Sequence, residues 1–339
     1  MKALQYLLFL ILILCIGGSI YIAVQPNDYD IRRTQTILAP SEVIYTHISD
    51  LSTYSNWLPW LNPESNAQFS KIDSISAQPV AIYWSDKQET GFLEMEQTTP
   101  HKNLKQILKL PTKRAQTVTW NISETNRMES TVSISLADSS LSFFEKAKAL
   151  VNGGFEKIYG QQLETTLENL NTSVISAMAV YNIEVNGITT YGGGFYLYST
   201  TASKITDLQT TIHKVMPRLK AYVQNNNITT AGAPFVIYHN WDTLNNAVTF
   251  SCAIPTTNPI NTTESDILTG QLIPFRAVKT TLYGHTNNLA EARNANDDYI
   301  NQYNLQATPE GPMLEVYLTD PNKVANPANW KTELYTAIN

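Results

Sequence analysis

The chain has 339 residues, a formal net charge of −6, 43% hydrophobic and only 15% charged residues. That length holds two ordinary domains plus an appendage, with apolar residues enough for a core in each. The mild acidity and the lack of any basic run argue against nucleic acid as a partner. The two cysteines, Cys15 and Cys252, do not suggest a disulfide framework, because the first lies in an apolar stretch.

Leu7 to Val24 carries no charge over eighteen residues. As a helix it spans roughly 27 Å at about 1.5 Å per residue, close to the ~30 Å hydrocarbon core of a bilayer. The apolar run continues through Ile20–Val24, past Gly17-Gly18-Ser19, where a cleavable signal peptide would end. An uncleaved single-pass anchor over residues 1–27 is therefore expected, with the soluble part on the extracytoplasmic side. Lys2 and the α-amino group favour that orientation, whereas Arg32 and Arg33 on the other flank oppose it.

Beyond a polar connector, Ile31 to Leu38 reads as a strand stopped by Ala39-Pro40. Ser41 is placed to cap a helix carrying Val43, Ile44 and Ile48, and a short helix follows from Leu51 towards Trp57. Five strand-like runs come next, at 81–85, 92–98, 104–110, 117–123 and 128–136. Their short separations require antiparallel pairing. A long helix is predicted from Phe143 to Leu170, with Gly153-Gly154 as a kink or break. Trp57, Trp60, Trp84 and Trp120 read mostly as core. Residues 31–171, through Ala39-Pro40-Ser41-Glu42-Val43-Ile44, Tyr54-Ser55-Asn56-Trp57-Leu58-Pro59-Trp60, Gly91-Phe92-Leu93-Glu94-Met95 and Gly154-Phe155-Glu156-Lys157, resemble the helix-grip fold of START-like, polyketide-cyclase-like proteins. The resemblance implies an apolar cavity between a curved sheet and the long helix. Glu64 to Val80 departs from the family pattern. Thr172–Ala179 is read as the joint between domains at 28–172 and 173–339.

In the second region Gly192-Gly193-Gly194 precedes a strand at Phe195–Tyr198. No Lys-Ser/Thr follows, so close packing or backbone freedom explains the glycines better than a phosphate loop does. Leu208, Ile212, Val215 and Leu219 share a helix face that Pro217 should bend or divide. A strand at Arg276–Gly284 and a helix face of Leu289, Ala292, Tyr299 and Tyr303 repeat that plan. Gly232-Ala233-Pro234-Phe235-Val236-Ile237-Tyr238 and Gly311-Pro312-Met313-Leu314-Glu315-Val316-Tyr317 are two copies of one pattern. They align Val236 with Glu315, so only the second copy carries an acid. Strand alternation sets Glu315 and Tyr317 on the face opposite Leu314, Val316 and Leu318. Glu315 either faces water or waits in a cleft for a cationic or hydrogen-bonding ligand.

Gly311-Pro312, Glu315-Val316-Tyr317, Asp320-Pro321 and Trp330-Lys331-Thr332-Glu333-Leu334-Tyr335, with Phe235-Val236-Ile237-Tyr238-His239, Asp242 and Ala253-Ile254-Pro255, resemble a GyrI-like domain, the effector-binding domain of AraC-type regulators. The resemblance covers about residues 181–339. It implies duplicated strand-helix-strand-strand halves around a central aromatic cleft with an acid. The expected α+β protein would bind small molecules: an apolar one in the first domain, an amphipathic or cationic one in the second. The candidate ligand residues are Glu315, Tyr317, Tyr335, Tyr196, Tyr198, Tyr238, Trp241 and Tyr283, with Glu333 the next acid to consider. A hydrolase using Glu315 with Tyr317 or Tyr335 is the alternative, and a scaffold with closed pockets is a third reading. The scattered histidines His47, His101, His213, His239 and His285 suggest no metal site, and no cofactor fingerprint occurs. His239, beside Trp241 and Asp242, reads as a strand-end histidine, and Cys252 as a buried, unreactive thiol.

Overall fold

The computed structural model describes residues 2–58, 70–73, 79–85, 90–110, 114–308 and 311–339. The chain divides into two compact units, Met1–Ala177 and Met178–Asn339. Each contains an antiparallel sheet with helices, so the fold class is α+β.

In the first unit, α1 (Lys2–Ala23) is a continuous helix whose Leu4–Ala23 stretch has a mean hydropathy of 2.5 and none of it buried. It is long and apolar enough to cross a membrane. The sheet comprises β1 (Tyr29–Ile37), β2 (Ser70–Asp73), β3 (Pro79–Ser85), β4 (Thr90–Thr99), β5 (Asn103–Lys109), β6 (Gln116–Asn126) and β7 (Glu129–Asp138), in the order β1-β7-β6-β5-β4-β3-β2. Alternation buries Leu104 and Leu108, Val118 and Trp120, and Val132 and Ile134. The helices are α2 (Ser41–Ser49), a 3₁₀ turn at Leu51–Asn56, α3 (Phe143–Val151) and α4 (Phe155–Ala179). Leu163, Leu167, Leu170 and Val174 form the buried stripe of α4 at helical spacing.

Local chemistry explains where these helices start and stop. Pro40 takes the N-cap of α2, and the Ser41 side chain donates to Glu124 instead of capping. The predicted long helix is two helices. Gly153 and Gly154 both have positive φ, and Ser142 and Glu145 form a complete capping box that starts α3. The expected joint at Thr172–Ala179 is helical, forming the last turns of α4. Trp57, Trp84 and Trp120 are buried; Trp60 and much of Glu64–Val80 lie outside the described residues.

The second unit holds β8 (Asn182–Tyr191), β9 (Gly194–Lys204), α5 (Leu208–Asn225), β10 (Phe235–Asp242), β11 (Ala247–Thr256), β12 (Leu268–Leu272), β13 (Phe275–Tyr283), α6 (Leu289–Gln302), β14 (Met313–Tyr317) and β15 (Lys331–Ala337). Pro217 sits inside α5 without dividing it. The sheet order is β12-β9-β11-β10-β14-β15-β13-β8. The repeat is visible in it: β9-α5-β10-β11 and β13-α6-β14-β15 meet at the β10–β14 pair. There Val236 is the direct cross-strand partner of Glu315.

Strands β8 and β12, which the sequence pattern does not announce, add an edge to each half. Two-residue links, Gly192-Gly193 and Ile273-Pro274, join opposite edges, so the sheet curls until its edges meet at that end. Gly193 allows the meeting. Its φ is +72°, and an added Cβ would run into the backbone at Leu272–Pro274.

Candidate functional site

The two faces of the second sheet differ in what covers them. On one, α5 contributes Leu208, Ile212, Met216, Leu219 and Val223 to a core with Val236, Phe250 and Cys252. On the same face α6 packs Leu289 and Ala292 against Leu282 and Leu334. Alternation aims Phe235, Ile237, Leu314, Val316 and Tyr335 the other way. They form a separate cluster, ringed by Tyr191, Tyr196, Tyr198, Leu272 and Phe275, that contains no helical residue. Strands from both edges meet in this cluster, so it lines the concave side.

Glu315 lies on the helix-covered face and is 1% exposed. Its Oε1 accepts from Arg293 Nε of α6 at 2.7 Å. Its Oε2 accepts from Tyr238 Oη at 2.7 Å and from Tyr317 Oη at 3.2 Å. The Arg293 guanidinium stands 4.8 Å from the Trp241 ring centroid and 5.6 Å from that of Tyr238. Burial opposes the charge on Arg293, but Glu315 and Tyr238 outweigh it and raise its pKa. Burial, with the Glu315 charge, also drives the Tyr238 and Tyr317 hydroxyls well above their ordinary range, so both remain donors. Glu315 is thus neither a solvated surface acid nor an open counter-charge. Its role is taken by an arginine of the same unit. Three donors, from Arg293, Tyr238 and Tyr317, already occupy the carboxylate.

The concave face brings together Tyr335, Tyr196 and Tyr198, with Tyr283 farther along it. The Tyr196 and Tyr198 rings lie 5.5 Å apart, tilted by 47°; Tyr196 meets Phe235 edge-on at 5.5 Å, and Tyr191 meets Tyr335 edge-on at 5.0 Å. The buried acid of this face is Glu333. Its Oε1 lies 2.8 Å from Lys279 Nζ and 3.6 Å from Lys331 Nζ, and Oε2 accepts from Tyr335 Oη at 2.7 Å. Burial alone would raise the Glu333 carboxyl, but the hydrogen bonds from Lys279 and Tyr335 and both lysine charges hold it below the usual glutamate range. The Tyr335 hydroxyl is pushed up by burial and by Glu333. Lys331 also lies 5.5 Å from the Tyr283 ring centroid.

The eight expected ligand residues therefore separate. Glu315, Tyr317, Tyr238 and Trp241 share the helix-covered cluster, while Tyr335, Tyr196, Tyr198 and Tyr283 lie on the concave face. Arg293, Lys279 and Lys331 were missed. Arg293 falls on the Leu289–Ala292–Asn296 stripe of α6, and Lys331, Glu333 and Tyr335 alternate along β15, so periodicity held a signal for each.

Elsewhere, His239 Nε2 lies 2.7 Å from Ser251 Oγ, and burial lowers the histidine pKa. Burial pushes the Cys252 thiol up to about 12. Among the described residues no three His, Cys, Asp or Glu side chains gather for a metal ion. In the first unit a buried polar cluster joins Gln116 to the hydroxyls of Tyr29 and Tyr159, with Phe155 stacked on Tyr29 at 4.3 Å. Gln116 Oε1 is buried, with no hydrogen-bond partner among the described residues.

No protein-family model matches the chain, and no curated protein matches it. Solved structures resemble its parts. The EcmrR C-terminal domain is 14% identical, over 47% of this chain and 98% of that one, with a TM-score of 0.41. The Zhui aromatase/cyclase from Streptomyces sp. R1128 is 10% identical, over 45% of this chain and 97% of that one, with a TM-score of 0.36. A START superfamily protein from Mycobacterium smegmatis is 16% identical, over 43% of this chain and 97% of that one, with a TM-score of 0.33.

Proposed function

We propose that this is a membrane-anchored small-molecule-binding protein whose second domain, residues 173–339, takes an amphipathic aromatic ligand on the concave face of its sheet. The observation that carries this reading is the aromatic lining. Tyr191, Tyr196, Tyr198 and Phe275 are only partly buried and surround a buried floor of Phe235, Ile237, Leu314 and Val316. Such a surface offers flat apolar contact, while the tyrosine hydroxyls orient polar groups. The reading assigns Tyr335, Tyr196, Tyr198 and Tyr283 to ligand contact and Glu315, Tyr317, Tyr238 and Trp241 to the support beneath. A permanently cationic ligand has less to gain than the GyrI-like resemblance implied, because both nearby carboxylates are already paired with this chain's own cations.

The START-like first domain, residues 28–172, would hold an apolar ligand with one polar end. The buried polar group that Gln116 forms with the Tyr29 and Tyr159 hydroxyls supports that polarity. α1 would hold both domains at a membrane.

The test is titration of the full chain in lipid nanodiscs with three aromatic probes of matched size: a cation, a carboxylate and a neutral compound. Wild type is compared with Tyr335→Leu and with Trp241→Leu. Binding of the neutral probe or the carboxylate that Tyr335→Leu weakens about tenfold, or roughly 1.4 kcal/mol, and Trp241→Leu leaves in place supports the concave face. No binding by any probe, or equal loss in both variants, refutes it.

A further inference from the structure

Helix α3 carries an apolar face that its own unit leaves uncovered. Phe144 is 83% exposed and Val151 87%, and Phe143 and Leu150 are also exposed. At about 3.6 residues per turn, positions 143, 144, 147, 150 and 151 share roughly a third of the circumference. Ala147 completes that strip, Lys148 borders it, and Lys146 and Ala149 point inward.

The place of α3 says what covers the strip. α3 packs beside the end of α1. The buried Lys146 Nζ donates to Ala23 O at 3.0 Å, Gln25 O at 3.0 Å and Asn27 Oδ1 at 2.9 Å. A lysine that caps the terminal carbonyls of a helix is favoured by both hydrogen bonding and the helix dipole. Leu141 N also donates to Asn27 O at 2.8 Å. The apolar span ends at Ala23. If it fills the hydrocarbon core, the Lys146 ammonium stands at the boundary between acyl chains and headgroups, and α3 lies at that depth. The exposed apolar surface of α1 and the strip of Phe143, Phe144, Leu150 and Val151 then lie on either side of that lysine, at the same end of the span.

We infer that α3 is a second membrane contact: it lies in the interface of a phospholipid bilayer, inserts Phe143, Phe144, Leu150 and Val151, and seats the first unit against the lipid. The inference rests on α1 being retained as a membrane anchor. Two phenylalanines on a short helix bind a bilayer weakly alone, but α1 already holds them there, so the contact orients the unit and does not recruit it. Lys148 at the edge of the strip is placed to extend its ammonium towards phosphate.

The test uses nitroxide labels on the full chain in phosphatidylcholine–phosphatidylglycerol vesicles, read by collision with oxygen, which partitions into lipid, and with a water-soluble nickel chelate. Native Cys15 on α1 reports the anchor; Cys252 is buried and stays unlabelled. In a Cys15→Ser background, Phe144→Cys and Val151→Cys report α3. Leu38→Cys is the control, an exposed apolar residue just past β1 and roughly 30 Å of strand from α1 at about 3.3 Å per residue. The oxygen-to-nickel ratio is expected to be several-fold higher at 144 and 151 than at 38. A label at Cys15 facing water overturns the anchor itself. Cys15 in lipid, with 144 and 151 as nickel-accessible as 38, overturns the seating of α3 alone. Low collision with both reagents at 144 also overturns it, since a protein surface would then cover the strip.

Discussion

Replacing Glu315 by glutamine tests whether the carboxylate serves the fold. Glu315 is 1% exposed and the Arg293 side chain 17%, so the pair is shielded from water. Removing one partner of such a pair typically costs about 3–5 kcal/mol, because the remaining charge stays buried without compensation. The glutamine oxygen can still accept from Arg293, and the Trp241 and Tyr238 rings still face the guanidinium, so about 2–4 kcal/mol is expected here. For a unit of this size that lowers the midpoint by roughly 4–16 °C. Thermal unfolding of the full chain in nanodiscs, with amide hydrogen exchange on peptides covering 235–242 and 313–317, assigns the loss to β10 and β14. Glu315→Leu with Arg293→Met removes both charges but leaves the Tyr238 and Tyr317 hydroxyls without their acceptor, so it should recover only part of the loss. A Glu315→Gln protein as stable as wild type, with a guanidinium that exchanges freely, would refute the reasoning and return Glu315 to the ligand candidates.

Gly193→Ala should cost about 1–3 kcal/mol from positive φ and collision with the 272–274 backbone, whereas Gly192→Ala should be nearly neutral because an added Cβ there meets nothing; urea titration compares the two. His47 lies 2.8 Å from Ser173 Oγ, and burial lowers its pKa in the folded chain. Below about pH 6.5 the unfolded chain therefore takes up a proton that folded His47 refuses, and first-unit stability should fall as pH drops through that window. Denaturation across it should give a flatter profile for His47→Gln, and an identical profile would exclude the effect. The depressed carboxyl of Glu333 has the same sign at lower pH: its contribution is complete above about 4.3 and is lost as pH falls through its folded value. Exchange protection of β15 should then lose its acid sensitivity in Glu333→Gln.

Patterns that depend on near neighbours in the chain are legible in the sequence alone. The uncharged run that forms α1 and the period-two strands β5–β7 are set by local sequence, because alternation decides which side chains one face can bury. The duplication that aligns Val236 with Glu315 is legible too, because each copy is a local pattern, but that the two residues pair across strands is a tertiary fact. Alternation also places Glu315 with Tyr317 correctly. It cannot say which sheet face the helices cover, since that depends on the handedness of crossovers from β9 to β10 and from β13 to β14. That single choice gives Glu315 to Arg293 and leaves the concave face to Tyr335, Tyr196, Tyr198 and Glu333. The curl of the sheet is hidden too, because Gly192-Gly193 and Ile273-Pro274 look like ordinary turns until β8 and β12 are known to lie at opposite edges. By sequence Lys146 is one more lysine on a helix. Only the folded chain, by bringing it to the last carbonyls of α1, makes it the residue that joins the apolar helix to the unit beside it.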